Sequence, residues 1–330
     1  MYFKGYLKCL RKMIKGVVKK IESKDYYVLI SSEEVIRCSL PGKIKNKYKK
    51  EKGKQYRIDI VAVGDFVYFN LNDDGTGVIV KIEERKNQLS RKALRIKGGS
   101  FRGARLEQVI AANIDNIFIV SSISSPQFNN RVVDRILVAA ESSKIKCNII
   151  INKIDLDVEN FSEYWTELYA GIGYNVFCTS VPENKGFNKL IDYLKNNVNL
   201  FWGASGVGKS SILNLLFPHL SLKTAEVSKY SSKGQHTTVT SLLEMIDKKT
   251  FVIDTPGIRE IDPFGIQGID LAHYFVEFIP YLESCRFNTC THFHEPGCAV
   301  IKAVEENKIS MERFESYVNL LNTIEDGMNF

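Results

Sequence analysis

From Met13 to about Arg85, apolar and polar residues alternate in short runs: MIKGVVKKI, YYVLIS, EVIRCSL, RIDIVAV, DFVYFNL and GVIVKIEE. Period-two runs broken by turn residues predict β-strands, and NDDGTG at residues 72–77 predicts a hairpin turn between the last two. Five or six strands in ~75 residues fit a small closed barrel such as an OB-fold. Further along, the period changes. NIDNIFIVSSI and NIIINKIDL read as buried strands, and RVVDRILVAAESS as a helix with apolar positions at i, i+3, i+4 and i+7. YWTELYAGIG and KLIDYLKNN read as helices and NVFCTS as a strand, so strands alternate with helices and a parallel sheet covered on both faces is expected. VNLFW then enters a glycine loop, SSILNLLFP leaves it as a helix, and SLLEMI and FVIDTPG add two strands. From Ile269 the pattern is helical and ends in AVIKAVEEN and MERFESYVNLLNTI. The expected chain is therefore multidomain: a β-barrel over residues 1–88, a linker over 89–106, an α/β domain over 107–268 and an α-helical C-terminal domain over 269–330.

Composition narrows the function. Among 330 residues, 44% hydrophobic, no apolar run approaches a membrane span, and MYFKGYLKCLRKMIKG lacks a signal-peptide core. A cytoplasmic chain without membrane association is expected. Seven cysteines spread over this length argue for reduced thiols, some of them metal ligands, rather than a disulfide framework. The net charge of +7 is uneven: residues 1–105 carry 26 Lys and Arg against 11 Asp and Glu, the other 225 residues 19 against 27. A basic domain on an acidic remainder suggests a polyanionic partner, nucleic acid first. The lysine-dense loop KIKNKYKKEKGK, residues 43–54, supplies Lys43, Lys45, Lys47, Lys49 and Lys50 as candidate phosphate contacts. SRKALRIKGGSFRGAR, residues 90–105, reads as a basic linker or mobile loop that adds Arg91 and Lys92. A solvated lysine-rich surface is the bland alternative.

The glycine loop Gly203-Ala204-Ser205-Gly206-Val207-Gly208-Lys209-Ser210 matches GxxxxGK[ST], with Ser211 next in the helix. Its backbone N–H groups would surround phosphates, Lys209 would neutralise the β and γ phosphates, and the Ser210 hydroxyl would ligate Mg²⁺. Trp202 is unexpectedly bulky so close to this loop. Asn152-Lys153-Ile154-Asp155 ends a buried strand and matches NKxD, in which the aspartate accepts from both the ring N–H and the exocyclic amine of guanine. Adenine cannot supply that pair, so a buried carboxylate would reject it. Thr179 and Ser180, ending the next strand with Cys178, lie where a backbone contact to the base edge belongs. Asp254-Thr255-Pro256-Gly257 is a DxxG; about one chance match per chain is expected for so loose a pattern. Its place after a strand downstream of the loop gives it weight: Asp254 would hold a Mg²⁺-bound water and the Gly257 N–H would sense the γ-phosphate. Thr237 and Thr238 are candidates for a switch hydroxyl.

Together these elements make a GTPase site, but NKID precedes the phosphate loop. Starting at the loop and joining the domain's far end to its beginning restores the usual order, so the domain is circularly permuted. The DxxG switch then leads straight into the C-terminal segment, which suggests coupling. That segment contains CRFNTCTHFHEPGC, in which Cys285, Cys290, His292 and Cys298 match a closed Cys₃His structural zinc site. His294 is the spare histidine.

With permuted order, barrel and zinc cluster in place, the chain resembles the ribosome small subunit-dependent GTPase A family (RsgA, also called YjeQ or YloQ) over nearly its full length. The resemblance implies an OB-fold, a permuted P-loop GTPase domain and a zinc-binding C-terminal domain. It implies action late in 30S assembly, contact with 16S rRNA, turnover that is slow alone and stimulated by the subunit, and release on hydrolysis of GTP to GDP. It also makes GQHTT the first switch, with Gln235 where a basic residue is common. Ile258 follows DTPG where many GTPases carry a water-orienting glutamine. His236 is the candidate replacement, and a GTP-binding RNA scaffold without significant turnover is the alternative reading. A monomer is expected.

Overall fold

The computed structural model describes residues 13–32, 34–44, 46, 59–92, 107–222, 241–255 and 265–326. Strands β1 (Ile14–Glu22), β2 (Asp25–Leu29), β3 (Val35–Ser39), β4 (Phe66–Leu71) and β5 (Gly77–Ile82) close a barrel in the order β1-β2-β3-β5-β4. Val18, Val28, Cys38, Val67, Phe69 and Ile79 fill it. The predicted hairpin turn is present, with Asp74 accepting from both the Thr76 amide at 2.9 Å and its hydroxyl at 2.7 Å.

Two readings of the pattern are corrected. RIDIVAV is no strand over its described residues 59–63, although Val61, Ala62 and Val63 are buried. Buried Asp65 accepts from the Ala62 amide at 2.7 Å, and Arg85 clamps both its carboxylate oxygens at 2.7 Å, holding the segment as a bend instead. The expected basic linker begins as a strand: β6 (Gln88–Lys92) pairs antiparallel with β7 (Glu107–Ala112). Arg91 lies on β6, half-buried, and donates to Gln108 at 3.0 Å; burial lowers its pKa.

This ribbon joins the barrel to the next layer. Ala112 donates to Val63 O and Asn113 Nδ2 to Gly64 O, both at 2.9 Å. Gly64 has φ +88°, and a Cβ there would stand 2.3 Å from Ala112 O, so the joint requires glycine. Lys19 of β1 pairs at 2.7 Å with Glu244 across the same boundary.

The second layer is a six-stranded sheet in the order β10-β9-β8-β11-β13-β12. Its strands are β8 (Asn116–Ser122), β9 (Lys146–Asn152), β10 (Asn175–Thr179), β11 (Val198–Gly203), β12 (Leu242–Met245) and β13 (Phe251–Asp254), parallel except for β12. Helices α1 (Asn130–Ser142), α2 (Phe161–Ile172), α3 (Phe187–Leu194) and α4 (Lys209–Leu216) connect them. Asn129 caps α1, accepting from Val132 N at 3.3 Å, and the helix buries Val133, Ile136, Leu137 and Ala140. Trp202 is explained here. Leu200 and Trp202 belong to the buried cluster on the side of α1, whereas Phe201 joins Ile212 and Leu213 of α4 in the opposite one. The indole fills the core facing away from the loop it precedes.

The C-terminal part carries a 3-10 helix (Gly268–Tyr274), α5 (Ile279–Leu282), α6 (Ala299–Glu305) and α7 (Met311–Asp326). Its core includes Ile266, Phe275, Phe278, Val300 and Tyr317, together with Val138 of α1. Arg313 of α7 is 1% exposed and binds Asp134 of α1 at 2.6 Å and Glu277 at 2.6 Å, while the Tyr169 hydroxyl donates to the same Asp134 oxygen at 2.8 Å. Burial opposes the guanidinium charge, but the two carboxylates win and raise its pKa well above the ordinary arginine value.

Candidate functional site

Every chemistry-bearing segment within the described residues of the sheet ends at one edge. Gly203 closes β11, Asn152 β9, Thr179 β10 and Asp254 β13, all at carboxyl ends of strands. The chain runs from β11 to β12 and β13 on one side, with β8, β9 and β10 on the other. A crevice at such a switch point is where open α/β sheets bind ligands.

β11 delivers the loop and α4 starts at Lys209, with Gly206 at φ +82° and Gly208 at φ +95°. A Cβ on Gly203 would come 2.6 Å from Val120 O, and one on Gly208 2.3 Å from Asn152 Nδ2, so both positions are closed to side chains. Ala204 and Ser210 are half-buried, Ser205 exposed, Val207 buried. Lys209, 8% exposed, has Nζ 3.2 Å from Thr255 O and 3.2 Å from Asp254 Oδ1. Thr255, not singled out from the sequence, donates its hydroxyl to Phe201 O at 2.9 Å and so ties the end of β13 to the loop-bearing strand.

The base-side residues form a braced unit. Asn152 Nδ2 donates to Val207 O at 2.9 Å and its Oδ1 accepts from the Thr179 hydroxyl at 3.0 Å. Asn152 is therefore a strut between the glycine loop and the ends of β9 and β10. Asp155 is exposed on a 3-10 turn (Ile154–Leu156), and Ser180 Oγ donates to its Oδ1 at 2.6 Å. Lys153, in left-handed conformation at φ +63°, donates to Ser125 O. The loop 123–128 thus borders the site, and Ser122 fixes it by donating to Pro126 O at 2.6 Å. Neither Ser122 nor Ser125 is legible as a site residue, because Ser125 takes part through its backbone carbonyl and the Ser122 hydroxyl meets only the Pro126 carbonyl. His236, Thr237, Thr238 and Gly257 lie outside the described residues, as do Lys45, Lys47, Lys49 and Lys50; Lys43 is exposed.

Two donor sets among the described residues suit a cation. Asp254 Oδ1 is buried and accepts no hydrogen bond, although Lys209 stands at ion-pair distance. That carboxylate and Ser210 in the first turn of α4 are a hard oxygen pair suited to Mg²⁺. In the C-terminal part, the ligand atoms of Cys285, Cys290, His292 and Cys298 lie within 4.8 Å of one another. His292 Nδ1 is 3.5 Å from Cys285 Sγ and 3.4 Å from Cys298 Sγ, and those two sulfurs are 3.9 Å apart. Tetrahedral zinc at its usual bond lengths spaces S–N and S–S neighbours ~3.5 and ~3.8 Å apart, so the donors fit the ion. His294 is exposed and outside the set.

Glu295 builds the loop that carries these ligands. It accepts from the Thr291 amide and hydroxyl, both at 2.6 Å, and from the amides of Phe293 at 3.0 Å and His294 at 3.2 Å. Burial raises its pKa, but those donors outweigh burial and bring it down to about 2. Glu295→Ala is expected to weaken metal retention ~10–100-fold in a chelator competition; unchanged retention would mean that the four ligands position themselves.

This geometry defines a P-loop GTPase in circularly permuted order. The RsgA GTPase family model matches residues 82–264. The small ribosomal subunit biogenesis GTPase RsgA of Chlorobaculum parvum is 39% identical, covering 96% of this chain and 100% of its own. That of Bacteroides fragilis is 36% identical, covering 95% and 98%. Among solved structures, YjeQ from Thermotoga maritima superposes with a TM-score of 0.72 at 30% identity over 95% of this chain and 99% of its own. YloQ, described as a circularly permuted GTPase, superposes with a TM-score of 0.66 at 30% identity, covering 98% of both chains. The chain belongs to the RsgA GTPase family and is a GTP-hydrolysing enzyme.

Proposed function

We propose that this chain binds the small (30S) ribosomal subunit late in its assembly and hydrolyses GTP there, with turnover stimulated by the subunit and followed by release. The convergence of the glycine loop, NKID and Asp254 on one sheet edge carries the reading, and full-length similarity to small ribosomal subunit biogenesis GTPases supports it. Lys209 and the loop amides from Gly203 to Ser211 would hold the phosphates, Asp155 the guanine, and Asn152, Thr179 and Ser180 the geometry of the base pocket. Ser210 and Asp254 would hold Mg²⁺, which when bound draws charge from the phosphoryl oxygens. Thr237, Thr238 and Gly257 would sense the γ-phosphate, and His236 would orient the attacking water. Zinc on Cys285, Cys290, His292 and Cys298 would be structural, since four protein ligands leave no open position. The basic N-terminal domain, with Lys43 and its neighbours, would contact 16S rRNA. The protein would act as a cytoplasmic monomer.

The test is GTP turnover with and without 30S subunits, with ATP as control. Large GTP-selective stimulation supports the reading; tight GTP binding without stimulation would turn it toward a scaffold. Binding should also weaken steeply with salt, by ~10³–10⁵ between 50 and 200 mM for six to ten phosphate contacts. A flat salt response would remove the basic domain from the interface.

A further inference from the structure

The acidic side of the GTPase domain presents a surface that its nucleotide chemistry does not use. Beyond Asp155, between Leu156 and Glu167, the chain carries four carboxylates, Asp157, Glu159, Glu163 and Glu167, and no lysine or arginine. The same stretch exposes large apolar side chains: Val158 is 93% exposed, Phe161 49%, Leu156 47% and Tyr164 43%. Tyr164 donates to Glu312, so the strip continues onto the start of α7, where Met311 is 55% exposed. The strip is held in shape. Asp157 accepts from the amides of Phe161 at 3.0 Å and Ser162 at 2.8 Å, fixing the turn that displays Val158 at the start of α2. Behind it, Trp165 stacks on Phe128 with centroids 4.7 Å apart.

Apolar side chains set among these carboxylates do not suit a phosphate backbone, which the strip would repel with no lysine or arginine in the stretch to offset it. They match the reverse pattern, an apolar anchor flanked by lysine and arginine. We propose that this strip docks a basic, amphipathic segment of a protein component of the small subunit, so that the chain meets RNA through its N-terminal domain and protein through α2. This rests on the small-subunit reading above and names the partner's chemistry on one face of it. The position matters, because Asp155 immediately precedes the strip, so the docked segment would border the guanine pocket.

A Val158→p-benzoylphenylalanine chain, loaded with a non-hydrolysable GTP analogue and bound to 30S subunits, should on irradiation cross-link to a ribosomal protein through a lysine- or arginine-rich peptide. Val158→Lys combined with Glu163→Lys should lower affinity for the subunit about tenfold while leaving GTP affinity unchanged. Cross-links to rRNA, to a second copy of this chain, or to nothing in a complex that co-sediments would overturn the proposal. So would unchanged subunit affinity of the double variant. If the unsubstituted chain does not co-sediment with 30S subunits, the small-subunit reading itself falls and the docking proposal falls with it.

Discussion

Asp155→Asn is expected to lower GTP affinity by about 10²–10⁴ while leaving the fold intact. The carboxylate would accept two charge-assisted hydrogen bonds from guanine, each worth ~1.5–3 kcal/mol, and the amide supplies one acceptor and one misplaced donor. Stability should hold because Asp155 is exposed and its one internal contact survives: Ser180 Oγ, 2.6 Å from Oδ1, can still donate to the amide oxygen. The defect should also be repairable. Xanthine carries a carbonyl where guanine carries its amine, so the amide nitrogen of the variant gains an acceptor. Xanthosine triphosphate should then bind the variant better than GTP. Titration of both nucleotides against the two proteins decides the matter. Equal GTP affinity in wild type and variant would remove Asp155 from the base pocket and reopen an ATPase with a coincidental NKxD.

What made Asp155 readable, and other parts of the molecule unreadable, is the range over which each constraint acts. The glycine loop, NKID and the cysteine cluster are short because a phosphate, a base edge and a zinc ion are small; their ligands must come from a few neighbouring residues. The permuted order was equally legible, since it concerns sequence order alone. RIDIVAV misled because alternation reports burial and not pairing. Val61, Ala62 and Val63 are buried, yet Asp65, clamped by Arg85 from 20 positions away, bends the backbone into contact with β7. Residues 89–92 looked like linker because β6 finds its partner only beyond residue 106, and Arg91 on it contributes a half-buried contact where composition suggested a free cation. The bulk of Trp202 follows no local pattern: β11 is covered on both faces, which sends the indole toward α1. Thr255 and Asn152 serve as struts that donate to main-chain carbonyls far away in sequence.

The Arg313 site is the furthest from the reach of local pattern, since Asp134, Glu277 and Arg313 span 179 positions of sequence. Arg313→Met is expected to cost ~3–5 kcal/mol, because it leaves buried Asp134 and part-buried Glu277 without their cation. Buried ion pairs add little over a well-packed apolar replacement, so the cost lies in breaking the set and not in lacking it. A triple variant, Arg313→Met with Asp134→Leu and Glu277→Met, should therefore regain part of the loss in urea unfolding, even though it removes three charged groups instead of one and leaves the buried Tyr169 hydroxyl without its Asp134 acceptor. A single variant that unfolds at the wild-type midpoint would show that water reaches the carboxylates. A triple variant no better than the single one would show that shape, through the 4.5 Å stacking of the guanidinium on Phe275, matters more than charge. The location gives the result a functional edge. Ile266, in the segment that follows the DTPG motif, packs in the same core as Val138 of α1 and the aromatic residues around Arg313. Arg313 fastens α7 to α1 beside that core, so its loss should loosen the packing of the two helices before it unfolds either.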